Sequence, residues 1–172
     1  MAFVPGFQHD VFVSYARADD IADASGRGWV SQFVDFLTCA LKQRLGGSNE
    51  IRLFFDTRDL GSNQQLKELL GAAQHAALFL AIASRSYAER TWTKLELEAF
   101  VGASRDTYRL FAAECLPLDG GRYPPPLDQQ NRMPFYRTDT PNTEMSVRIP
   151  LSPSDAIFHQ LCVPKTSSVL IR

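Results

Sequence analysis

Asp10-Val11-Phe12-Val13-Ser14 is the stretch on which the reading of the fold turns. Its three inner residues form an unbroken apolar run, as expected of a strand covered on both faces rather than one with a wet side. Downstream, Trp29, Phe33, Phe36, Leu37, Ala40, Leu41 and Leu45 recur at helical spacing, and Gly46-Gly47 follows as a C-cap would. Residues 51–55 read as a second apolar strand, and Asp56-Thr57-Arg58-Asp59-Leu60-Gly61 as a polar, turn-forming loop. Ser62 can cap a helix whose buried stripe is Leu66, Leu69, Leu70 and Ala73, and residues 76–83 return as a strand with almost no polar atom. Thr91 or Trp92 opens a further helix through Val101, packing by Leu95, Ala99 and Phe100, and residues 108–113 supply a fourth strand. Strands alternating with helices in this way imply an α/β domain with a parallel sheet and helices on both faces.

The last third is less regular. Residues 117–134 carry five of the ten prolines and read as an irregular connection, with Phe135-Tyr136-Arg137 as a short last strand. Ser152 as cap and Pro153 in the first turn begin a closing helix with Ile157, Phe158 and Leu161 on one face. Residues 1–140 are therefore taken as the domain core and 141–172 as closing helix and tail. The terminal Val169-Leu170-Ile171 suits either a docked tail or the approach to a further region.

Composition narrows the function classes. The 172 residues, 45% hydrophobic and 22% charged, match one globular domain. A net charge of −1 gives no basic field to hold a nucleic-acid backbone. No apolar run approaches the roughly 20 residues of a membrane span, and residues 1–10 lack the features of a secretory signal, so no membrane partner and a cytoplasmic location are expected. Cys39, Cys115 and Cys162 read as small buried hydrophobes in a reducing compartment, and His9, His75 and His159 are too scattered for a metal or nucleophilic site. Ser14 has no Gly-x-Ser-x-Gly elbow, and no Gly-x-Gly-x-x-Gly turn follows the first strand.

In a parallel sheet of this kind ligands bind beyond the carboxyl ends of the strands, which here points to residues 14–20, 56–61 and 84–87. These loops carry a resemblance. The run from Asp10 to Asp19, ending its strand in Ser14-Tyr15, resembles the first box of Toll/interleukin-1 receptor (TIR) domains. Phe54-Phe55-Asp56 with Asp59-Leu60-Gly61 resembles the second, and Ser84-x-x-Tyr87 followed by Trp92-x-x-x-Glu96-Leu97 the third. The resemblance implies a flavodoxin-like three-layer sandwich with a central parallel sheet of about five strands.

Many TIR domains, bacterial ones among them, cleave NAD⁺, and their catalytic glutamate is the one in the Trp-x-x-x-Glu pattern. The resemblance thus implies Glu96 as catalytic residue and NAD⁺ as substrate rather than recycled cofactor. The chemistry suits a lone carboxylate: nicotinamide leaves as a neutral molecule needing no proton, and the oxocarbenium-like ribose left behind needs a negative neighbour. Trp92, one helical turn before Glu96, shares its face. Tyr15 and Trp92 are candidates to stack on a base, Arg17 and Arg58 to meet a diphosphate, and Ser14, Asp56 and Ser84 to bind ribose or order the loops. The implied products are nicotinamide with ADP-ribose or a cyclic form of it. The implied partners are other TIR protomers in an activating homo-oligomer or filament and a separate or fused sensor, in bacterial antiviral defence.

Blander readings stand beside these. Glu96 is equally a solvated helix residue, Trp92 a core anchor, and Arg58 with Asp59 a soluble loop. A non-catalytic scaffold acting through TIR–TIR contacts, or interfering with host signalling, is the rival function. A phosphoacceptor domain would use Asp10, Asp56 and Asp59 but lacks the lysine after a late strand.

Overall fold

Two strands organise the molecule because their sequences leave no wet face. In the computed structural model, which describes residues 2–24, 26–45, 51–55, 63–104, 107–118, 120–142, 145–152 and 155, these are β1 (His9–Ser14) and β3 (Ala76–Ala83). They pair in parallel, Val11 opposite Leu78 and Val13 opposite Leu80. β2 (Leu53–Phe54) flanks β1, and β4 (Leu110–Glu114) and β5 (Arg132–Pro134) extend the other side, giving a five-stranded sheet in the order β2-β1-β3-β4-β5 with every pairing parallel.

The period-two alternation of each strand sorts its side chains onto two cores. Phe12, Phe79, Ala81, Leu110 and Ala112 face α2 (Asn63–Gln74) and α4 (Thr91–Ser104), meeting Leu69, Ala73, Leu97 and Phe100. Val11, Val13, Ile82 and Ala113 face the opposite way, onto Val30, Phe33 and Val34 of α1 (Trp29–Arg44). This is the three-layer α/β sandwich expected, and the strand order reverses between β1 and β3.

Several details differ from expectation. β2 pairs over two residues rather than five. Residues 84–87, expected as a loop, open a five-residue helix, α3 (Arg85–Glu89), capped by Ser84. Part of the proline-rich connection forms β5, an edge strand with one neighbour, where Pro134 can sit because no further strand needs its missing N–H. Residues expected as a short last strand instead begin β6 (Tyr136–Asn142), which pairs antiparallel with β7 (Met145–Pro150) in a separate hairpin. Residue 140, read as the end of the core, lies within that hairpin. Leu151 then returns to the core: its N–H donates to Phe135 O at 2.8 Å and its carbonyl accepts from Trp29 Nε1 at 2.6 Å. At the expected start of the closing helix Ser152 N donates to the Asp155 carboxylate at 2.9 Å. The rest of that helix, with Ile157, Phe158, His159, Leu161 and Cys162, lies outside the described residues, as do Gly46, Gly47 and Ser62. Cys39 is exposed rather than buried, whereas Cys115 is buried and its thiol is pushed up to about 12 by that burial, which keeps it unreactive.

Two polar side chains fix segments that matter for the rim. Asp20 caps α1 from outside the helix: Ser31 N and Ser31 Oγ both donate to its carboxylate at 2.7 Å. The residue at the N-cap position is Gly28, where a Cβ would collide with the Asp20 carboxylate and carbonyl. This close approach ties the 3₁₀ turn Arg17–Asp20 to α1. At the opposite end of the sheet Asp10 accepts from three backbone N–H groups, Phe3 at 3.0 Å, Val4 at 2.7 Å and Arg52 at 2.8 Å. Burial by itself would raise the Asp10 pKa, but these donors and the Arg52 charge outweigh it and hold the carboxyl below its ordinary 3.8. Asp10→Ala is expected to lower the stability at pH 7 by about 2 kcal/mol, read from the urea midpoint. Because the folded pKa is depressed, the contribution is fully present above pH 3.8 and disappears as pH falls through the folded value, so the gap between wild type and variant closes in acid.

Candidate functional site

β1 ends at Ser14, and the chain leaves the sheet through Tyr15 and Ala16 into the 3₁₀ turn. Across from it, α4 begins at Thr91 after the short α3. Between them lies a cleft of about 240 Å³. One wall is Val13, Tyr15, Ala16, Arg17 and Ala18; the other is Arg90, Trp92, Thr93 and Glu96, with Leu69 of α2 below. Its position at the carboxyl end of β1, beside the reversal of strand order, is where open α/β sheets receive ligands.

Glu96 is the acidic residue in the lining of the cleft. It is only 7% exposed yet lines the cavity, so it is neither a solvated helix residue nor an apolar anchor. A carboxylate taken from water to this depth needs hydrogen-bond donors. One is Ser14, 1% exposed, whose Oγ lies 2.5 Å from Glu96 Oε2 and 3.2 Å from Tyr87 Oη. Trp92, four residues earlier on the same face of α4, stands at the mouth and is 46% exposed, which removes the core-anchor reading. Arg17 and Arg90 are exposed cations on the two walls. The helical spacing expected to bring Trp92 and Glu96 together does so.

Other sequence candidates fall differently. Tyr15 lines the cleft but is half-buried, with its ring against Phe55 at 5.0 Å between centroids. Ser84 is 1% exposed and is not among the residues lining the cleft. Its hydroxyl accepts from Tyr87 N at 2.9 Å, capping α3, and donates to Asp19 Oδ2 at 2.6 Å. Burial pushes the Asp19 carboxyl up from its ordinary value. Asp56 and Arg58 lie outside the described residues. Leu69, Tyr87, Arg90 and Thr93 were not among the candidates. Thr93, 1% exposed in the first turn of α4, carried a weak signal as a small β-branched hydroxyl at a helix start, and Tyr87 a stronger one as the last residue of the Ser84-x-x-Tyr87 pattern.

A larger hollow of about 500 Å³ at the far end of the rim is lined by Glu114, which is paired, and by Asp128, whose buried Oδ1 has no hydrogen-bond partner. There Glu114 takes Arg132 Nε at 3.4 Å and the Tyr123 hydroxyl at 3.1 Å. Among the described residues no three His, Cys, Asp or Glu side chains come together as a metal site, and no helix is long and apolar enough to cross a membrane.

No protein-family profile matches the sequence, and no curated protein sequence does. Among solved structures the chain is similar to the TIR domain of the Toll-related receptor TRR-2 from the lower metazoan Hydra magnipapillata. The match has 16% identity and a TM-score of 0.50, and covers 74% of this chain and 85% of that one. The likeness is one of fold: the chain has the architecture of a TIR domain, the flavodoxin-like sandwich with a central parallel sheet of five strands.

Proposed function

We propose that this TIR-fold chain is an NAD⁺ nucleosidase that breaks the nicotinamide–ribose bond, with Glu96 as catalytic residue. The observation that carries the reading is a buried carboxylate exposed only to a cleft, oriented by Ser14, one helical turn behind an exposed tryptophan. A domain serving only as scaffold has no use for such a group, since burying a charge is costly.

In the proposed reaction the bond between the ribose anomeric carbon and the pyridinium nitrogen breaks, and its electron pair goes to nitrogen. Nicotinamide leaves neutral, so no general acid is needed. The positive charge passes to the ribose, where Glu96 stabilises it, and the poor access of water to the carboxylate strengthens that attraction. Water then captures the cation and releases a proton, giving ADP-ribose; capture by an adenine nitrogen gives a cyclic product instead. NAD⁺ is substrate, and no cofactor takes part.

Trp92 at the mouth offers a face for the nicotinamide or adenine ring, and Arg17 and Arg90 offer charge to the diphosphate. A cleft of about 240 Å³ is smaller than most ligand sites and holds only one end of a dinucleotide, leaving the remainder across the rim. Completion of the site by a second protomer, in a homo-oligomer or filament switched on through a sensor, fits that size and belongs to the same proposal, as does a role in antiviral defence.

The test is nicotinamide release from NAD⁺ as protein concentration is raised. Turnover per protomer is expected to climb with concentration; a constant value would mean that each protomer is complete alone, and absence of release at all concentrations would remove the proposal. Trp92→Ala is expected to raise KM for NAD⁺ about tenfold with a smaller change in kcat, because the ring is exposed and its loss removes a binding face rather than a charge. An unchanged KM would take Trp92 out of the site.

A further inference from the structure

We propose that Tyr87 is a positioning residue for Glu96, acting through Ser14, and that α3 serves to deliver it; this rests on the reading of Glu96 as the catalytic carboxylate. Helix α3 has five residues, too few to hold a helix by itself. Side chains from outside it hold both ends. Ser84 Oγ, itself anchored on Asp19, accepts from Tyr87 N at 2.9 Å. Thr93 Oγ1 lies 2.7 Å from Tyr87 O and 2.9 Å from Arg90 O. The backbone N–H and carbonyl of one residue, Tyr87, are thus each pinned by a buried hydroxyl. Its side chain is 0% exposed, and its hydroxyl reaches Ser14 Oγ at 3.2 Å.

Proton arithmetic gives the direction of the chain. Ser14 has a single hydroxyl proton and two neighbours, Glu96 Oε2 at 2.5 Å and Tyr87 Oη at 3.2 Å. An ionised carboxylate can only accept, so the Ser14 proton goes to Glu96, and the Ser14 lone pair accepts the proton of Tyr87. Burial first, and then the nearby Glu96 charge, raise the Tyr87 pKa, so the phenol remains a donor throughout the neutral range. The relay Tyr87→Ser14→Glu96 fixes the carboxylate and favours its charged form, which is the form the ribosyl cation requires. Among the described residues, the titratable and charged groups facing this point are Tyr87 from α3, Arg17 from the turn after β1 and Arg90 from the α3–α4 link; α2 contributes apolar Leu69.

Tyr87→Phe keeps the ring and removes only the hydroxyl. It is expected to lower kcat about tenfold with KM for NAD⁺ little changed, and to move the acidic limb of the pH–rate profile to higher pH. Ser14→Ala is expected to do the same more strongly, and the double variant to be no worse than Ser14→Ala alone, because the phenol acts only through the serine. A carbon-13 NMR titration of glutamate-labelled protein gives a readout independent of turnover. The Glu96 carboxyl should titrate at higher pH in both variants, Ser14→Ala sufficing if Tyr87→Phe does not fold. Wild-type inactivity towards NAD⁺ would remove the nucleosidase reading and leave this titration to decide the relay. Unchanged titration and kcat in folded Tyr87→Phe, or additive effects in the double variant, would overturn the proposal.

Discussion

Glu96→Gln is expected to reduce NAD⁺ cleavage by roughly a thousandfold or more while the protein folds as well as before. Glutamine has nearly the shape of glutamate, so Leu97 and Phe100 on the same helix remain packed, and its amide can still meet the Ser14 hydroxyl. Only the negative charge is lost. In a cleft where that charge sits 7% exposed, little water can take its place beside a ribosyl cation. Removal of a buried charge also lifts a desolvation cost, so the melting temperature is expected to hold or rise slightly. Steady-state nicotinamide release and a thermal melt on the same preparation check both halves. A variant within tenfold of wild type would exclude Glu96 as the group that stabilises the cation.

The second large effect concerns the scaffold. Phe79 sits in the middle of β3, wholly buried, with its ring 5.4 Å from that of Phe12 and 5.1 Å from that of Phe100. Phe79→Ala empties the space where β1, β3 and α4 meet, and close-packed cores relax only partly into such a void. The expected loss is about 3–5 kcal/mol, a large share of the whole stability of a domain this size. Leu80→Ala, next along the strand but half-buried on the other face, should cost clearly less. Urea unfolding measures both. Losses of equal size would show that the two faces are not packed as differently as their burial indicates. The consequence reaches function, since β1 ends at Ser14 and β3 at Ala83, just before the Ser84 cap, and together they set the separation between the cleft and α3.

What could be read in advance follows from how each element is stabilised. β1 and β3 were legible because burial on both faces demands continuous apolar runs, which no helix or loop near them imitates. α1 was legible through its one-sided stripe. α3 was not, because five residues have no period to detect and its stability comes from Ser84 and Thr93, which flank it. β5 was hidden among prolines because an edge strand tolerates them, and β6, with Arg137, Thr138 and Asp139 all exposed, has no apolar alternation to betray it. The site divides in the same way. Glu96 and Trp92 share a helix face, so spacing in sequence predicts their meeting in space. Tyr87 meets Ser14 across 73 positions, and Asp19 meets Ser84 across 65, distances over which no periodicity carries information.

Product chromatography on NAD⁺ incubated with concentrated wild-type protein, beside Glu96→Gln at the same concentration, decides whether this chain cleaves NAD⁺ through Glu96. Nicotinamide in equal amount with ADP-ribose or a cyclic isomer is expected from wild type, and NAD⁺ left intact by the variant. NAD⁺ left intact by folded, concentrated wild-type protein would mean that the chain is not a nucleosidase.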